Sequence, residues 1–167
     1  MTDTDRKKIK DQQKGEFLTA AGISDADAAV VAMHSRHFNY ARTGSENAAT
    51  NVAEVPMGIV HRLSRCRAVY FTSDAAVAND TSDYDTVYVY KFASTGGALG
   101  AGTLVASWNT HTSAQSAITA NAKHSMSLVT AAAASIAADS VLTMKVGKSG
   151  SGKVLTNFAI TLDLEEI

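Results

Sequence analysis

The closing stretch "LTNFAITLDLEEI" alternates in polarity: Phe158, Ile160, Leu162 and Leu164 fall on one side, and Ala159, Thr161, Asp163 and Glu165 on the other. A period of two marks a half-buried strand, because successive strand side chains point to opposite faces. The same period recurs from Val52 onward in short runs. "EVPMGIVHRL" sets Val55, Met57, Ile59 and Leu63 on one face, with Pro56 pointing to a sheet edge or strand start. "RAVYFTS" follows after a bend at Ser64. "DTVYVYKF" sets Tyr88, Tyr90 and Phe92 opposite Val87, Val89 and Lys91. "GTLVASWNT" offers Leu104, Ala106 and Trp108, "KHSMSLV" His124, Met126 and Leu128, and "SVLTMKV" Leu142, Met144 and Val146.

About seven or eight short strands separated by Gly-, Ser-, Ala- and Asp-rich connections predict an all-β fold, an antiparallel sandwich or barrel. "VTAAAASIAADS", lying between strands, reads as a loop with one helical turn, ended by Asp139-Ser140. Lys91, Lys145 and Glu165 are expected on solvated strand faces.

The first part of the chain differs in kind. Lys7 to Lys14 is a solvated charge run. "FLTAAGISDADAAVVAMHSRHF" carries a short helix signal, with Ser24 as cap and Asp25 and Asp27 in the first turn. That helix would place Val30, Met33, His34 and His37 on one face. "TGSENAATN" reads as a linker. The expected division is therefore a 1–50 N-terminal arm and a 51–167 sandwich domain. The arm has too little apolar surface to fold alone. Its apolar residues Ile9, Phe17, Leu18, Val30 and Met33 are expected to contact another chain.

Several motifs invite a chemical reading. "VGKSGSGKVLT" has the spacing of a phosphate-binding loop, Gly147 followed by Gly152-Lys153. Yet Val154 stands where a Mg²⁺-ligating hydroxyl belongs, and the next segment alternates as a strand where an anion-holding helix is needed. It reads better as a Gly- and Ser-rich hairpin connection. "NDTSDYDT" gathers Asp80, Asp83 and Asp85, which would suit a hard cation. The EF-hand order is missing, so an Asx-type turn is the simpler account. His34 and His37 do not complete a metal site by themselves. Cys66, the sole cysteine, forms no intrachain disulfide and reads as a small buried hydrophobe.

The formal charge of −1 over 167 residues gives no basic surface for nucleic acid. No apolar run approaches the ~18 residues of a membrane span, and the polar N-terminus carries no secretory signal. The residues thus predict a protein made in the cytosol, with no cofactor, metal or catalytic signature.

A resemblance extends this reading. "ANDTSDYDTVYVYKF", "GAGTLVASWNTHTSAQSAITANAKHSMSLV" and "AAAASIAADSVLTMKVGKSGSGKVL" resemble the head decoration (cement) proteins of tailed bacteriophages. The likeness runs roughly from Val52 to Ile167. It rests on an N-D-T turn before a V-x-V strand, a Gly-rich hairpin, an Ala- and Ser-rich crossover, and a K-x-G-x-G turn before the last strand. The resemblance implies a jelly-roll-like β-sandwich that self-associates as a homotrimer or, in some relatives, a dimer. It implies a place on the outer surface of the capsid in the virion, tying neighbouring major capsid protein subunits together, by binding alone and without enzymatic activity. The rival expectation is a carbohydrate-binding or host-adhesion module, with Trp108, Tyr84, Tyr88 and Tyr90 as a stacking platform. Their alternation with polar neighbours makes a core role for these rings the simpler one.

Overall fold

The computed structural model describes residues 35–46, 52–112 and 117–167. In chain order the elements are β1 (Ser35–Glu46), β2 (Val52–Val60), β3 (Ser64–Ser73), β4 (Tyr84–Phe92), β5 (Thr103–Asn109), β6 (His124–Ser125), β7 (Ser127–Leu128), the single helical turn α1 (Thr130–Ala133), β8 (Ser140–Ser149) and β9 (Leu155–Glu166). They form two sheets, ordered β1-β9-β3-β6 and β2-β8-β4-β5-β7. The expected all-β sandwich is what the chain forms.

Nearly every connection crosses from one sheet to the other. Among the described strands, only β4 and β5 are both consecutive and paired, which is the jelly-roll-like character of the fold. Met126 shows how a crossing is made. It separates β6, which pairs with β3, from β7, which pairs with β5, and its own side chain is buried between them. The connection after Ser149, expected to be a hairpin, is another crossing. β8 pairs with β4 and β2, whereas β9 pairs with β3.

The inward faces follow the alternation of the sequence. Phe158, Ile160, Leu162 and Leu164 from β9 meet Val69 and Phe71 from β3, and Val87, Val89, Leu142, Met144 and Val146 from the opposing sheet. Burying each such side chain stabilises the fold by about 1.5–3 kcal/mol. Phe71 and Phe158 pack tilted, with ring centroids 5.7 Å apart.

Two expected phases are corrected. Register shifts in β2 between Val52 and Val55 and between Pro56 and Gly58 rotate the strand, so Val60 is buried while Ile59 is 49% exposed. Val55 and Met57 do pack on the core, but Ile59 and Leu63 do not share their face. An extra residue in β5 opposite the Val89/Tyr90 step likewise buries both Val105 and Ala106.

The predicted helix ending near Phe38 is also corrected at its C-terminal end. Ser35–Phe38 belongs to β1, and so do Thr43 to Glu46 of the expected linker. β1 hydrogen-bonds to β9, and the unit Arg36–Ile167 is compact by itself. The tertiary reason is visible at Phe38, whose ring fills the space over Gly58, where any Cβ would collide with it. β1 thereby closes one side of the sandwich against β2.

Candidate functional site

The acidic turn and the glycine–lysine loop, separate motifs in the sequence, meet in space. Asp80 forms the expected Asx turn, its Oδ1 accepting the amides of Ser82 (2.9 Å) and Asp83 (3.1 Å). Its other oxygen faces Lys153 Nζ at 3.2 Å. Asp83 Oδ1 accepts the Ser151 amide at 2.6 Å. Asp85 takes the Lys153 amide on Oδ1 (2.9 Å) and Lys148 Nζ on Oδ2 (2.7 Å). The Lys148 ammonium also donates to the Lys153 carbonyl. Each lysine of the loop is thus tied to an aspartate of the turn.

Backbone shape makes this closure feasible. Gly150 (φ 58°) and Gly152 (φ 60°) take the left-handed conformation, which glycine adopts without strain. A methyl group at Gly150 would fall on Asp83 Oδ1 and lie 2.6 Å from the Ser82 carbonyl. On the other side, the Thr110 hydroxyl accepts the Asp85 amide at 2.9 Å, and Asp80 and His111 form an isolated bridge.

The charges respond in opposite directions. The Ser82 and Asp83 amides, with Lys153, hold the Asp80 carboxyl down at about 2. Burial pushes the Asp85 carboxyl up, and Lys148 and the Lys153 amide pull back against it. With its lysines paired, and β9 following Lys153 as a strand, the loop offers neither a free cation nor a helix N-terminus to a phosphate. Among the described residues, no group of three or more His, Cys, Asp or Glu is placed to hold a metal.

The outer face of β4 is a second feature. Tyr84, Thr86, Tyr88, Tyr90 and Phe92 point away from the core, opposite buried Val87 and Val89. The core role expected for the tyrosines is therefore wrong. Tyr88 and Tyr90 lie 5.8 Å apart, and Tyr84 meets His111 edge-on at 4.8 Å. Trp108 is separated from them. It is buried beside His124 at 5.0 Å, and among the described residues its Nε1 has no hydrogen-bond partner.

A third feature is a cleft of about 320 Å³ lined by His37, Phe38, Ile59, His61, Arg62 and Glu166, among others. Arg62 and Glu166 pair there at 2.7 Å. His37 is exposed, 3.9 Å from Asp163, and His61 stands 3.9 Å from Asp139.

Other expected residues fall as follows. Ile9, Phe17, Leu18, Val30, Met33 and His34 lie outside the described residues. Cys66 is buried, donates to the Ala68 carbonyl at 3.4 Å, and is pushed up to about 12 by burial, so its thiol is inert.

Two charges expected on solvated faces are structural. Lys91 reaches over the end of α1 and donates to the carbonyls of Ala132 (2.7 Å) and Ser135. Glu165 is 3% exposed and held by both Arg65 and Arg67, which keep its carboxyl at about 2. The sequence held a signal for Lys91, which shares strand parity with Val87 and Val89. None marked Glu165.

No family model matches the chain, and no curated protein matches it. Among solved structures it is similar to a chain of infectious bursal disease virus, Gx strain, at 9% identity and a TM-score of 0.34, covering 79% of this chain and 32% of that one. A chain of the Gt strain is similar at 11% identity and a TM-score of 0.31, covering 79% and 33%. The chain thus spans about a third of the length of these structures.

Proposed function

We propose that the chain is a structural decoration protein of a bacteriophage head. It binds the outer capsid surface and bridges neighbouring major capsid protein subunits, without enzymatic activity. The resemblance of its turn and strand pattern to head decoration proteins supports this reading. The observation that carries it is the closure of the acidic turn on the lysine loop. These charged groups, the ones a catalytic reading would recruit, are bound to one another, and they fasten a sheet-to-sheet crossing.

In this reading the sandwich, which includes β1, is a rigid body, and the residues that precede Ser35 carry the attachment arm. Ile9, Phe17, Leu18, Val30 and Met33 insert against a capsid subunit or a neighbouring copy. Self-association into a trimer places several arms on one particle, and linked weak contacts gain affinity by avidity.

The test is co-sedimentation with undecorated heads of the virus whose genome encodes the chain. Saturable, stoichiometric binding is expected, together with increased resistance of the heads to heating. Replacing the five apolar arm residues with serine should weaken binding strongly while the β-type circular dichroism spectrum persists. Failure of the intact chain to sediment with heads would end this reading. Undiminished binding of the serine variant would move the contact to the sandwich.

A further inference from the structure

Among the described residues, β1 and β6 are the edges of one sheet, and β2 and β7 the edges of the other. An edge strand leaves a row of backbone N–H and C=O groups without a ladder partner, which invites another strand to pair. Three of these edges are blunted. β6 and β7 are each 2 residues long. β2 carries Pro56, which has no amide to donate, and two register shifts that break its line. β1 has neither defence. It runs for 12 residues without a proline, and β9 is its one neighbour among the described strands.

The sequence of β1, "SRHFNYARTGSE", fits a second copy of itself. Phe38 and Tyr40 are half-buried against the core, while His37, Asn39 and Ala41 are exposed on the other face. If two copies join edge to edge with both cores on the same side, residues of the same face must oppose one another. In an antiparallel pair related by a twofold axis, the axis then passes through a residue. With the axis at Ala41, Arg36 of each copy stands opposite Glu46 of the other, giving two pairs of opposite charge in one contact. Phe38 stands opposite Gly44 and Tyr40 opposite Arg42, and the small Ala41 meets itself. Moving the axis to Arg42 would set like charges against each other, and moving it to Tyr40 would leave Arg36 opposite Gly44. His37 and Phe38 also line the cleft where Ile59 is exposed, so apolar surface adjoins this edge.

We propose that β1 is a contact between two copies of this chain. The strands pair antiparallel about a twofold axis at Ala41, and the two four-stranded sheets continue into one. The contact rests on the edge of the sandwich and does not depend on the decoration reading. A trimer built on another face would be joined to its neighbours through it.

The experiment is sedimentation velocity on the full chain over a concentration series. Assemblies with an even number of copies are expected. Arg36→Glu and Glu46→Arg should each weaken the association about tenfold, because each sets like charges opposite one another twice. Combining the two changes should restore it. The two positions lie about 33 Å apart along one strand, so the rescue acts between copies and not within one. Ala41→Cys should cross-link two copies under mild oxidation, since Ala41 is exposed and meets itself on the axis. Asn39→Cys, also exposed but away from the axis, should not, and Cys66 is buried in every variant. A folding defect in a charge variant leaves the cysteine pair to decide. A chain that stays monomeric at every concentration, or that forms odd-numbered assemblies alone, would overturn the proposal. So would unchanged association in both single charge variants, or cross-linking through Asn39→Cys and not through Ala41→Cys.

Discussion

Asp85 Oδ2 and Lys148 Nζ lie 2.7 Å apart with their side chains 1% and 2% exposed, and the two residues face each other in register across β4 and β8. A pair so far from water is costly to break, because the surviving charge is left buried. Asp85→Leu or Lys148→Met alone should each cost about 3–5 kcal/mol. The double change Asp85→Leu with Lys148→Met should recover most of the loss, with a residue remaining because the Lys153 amide loses its acceptor. Urea unfolding of the two single variants and the double variant measures this. Losses that simply add would mean the two groups do not act as a pair.

Gly150 tests the clasp from its backbone. Gly150→Ala must hold a left-handed φ and also push against Asp83 and Ser82, so it should cost about 1–3 kcal/mol. At Gly96, which is also left-handed but has open space around it, the same change should cost less. Thermal unfolding of the two variants separates backbone strain from collision.

Acid stability should depend on Glu165. Its carboxyl is held at about 2, below the ordinary glutamate value of 4.5. A depressed carboxylate contributes stability that is fully present above its unfolded value and is lost as pH falls through its folded one. Asp80, also at about 2, acts with the same sign. Asp85 is raised by burial and acts with the opposite sign, since its ionised form is disfavoured in the fold. Stability should therefore hold down to mild acid and fall between about pH 4.5 and about 2. Glu165→Gln should flatten that fall in a pH series of denaturant midpoints. An unchanged slope would remove Glu165 as its source.

The phase of the sheets can be read from two substitutions. Phe158 is 1% exposed, so Phe158→Ala should cost about 3–5 kcal/mol. Thr161→Ala, on the outer face of the same strand, should fall within about 0.5 kcal/mol of the parent. Chemical denaturation decides, and equal losses would contradict the burial pattern of β9.

The sequence by itself determined the all-β class, the inward phase of β8 and β9, and the single helical turn at Thr130–Ala133. Strand alternation is local, and every residue needed to read it is a near neighbour. It even carried an unused hint: Asp85 shares parity with Val87 and Val89, and Lys148 with Met144 and Val146, so both charges point inward. What it did not contain is that Asp85 stands opposite Lys148. Register between strands 63 residues apart in the chain is set by packing the whole sheet.

The bulges in β2 and β5 are of the same kind, since an extra residue reverses the phase and leaves little trace in composition. Tertiary structure also made Ser35–Phe38 a strand, against a local helix signal, because β9 presented an edge and Gly58 left room for Phe38. The outer face of the five-stranded sheet is the clearest case. Asn109, Thr86 and Gly147 come from three strands, and only the folded sheet brings them onto one rung.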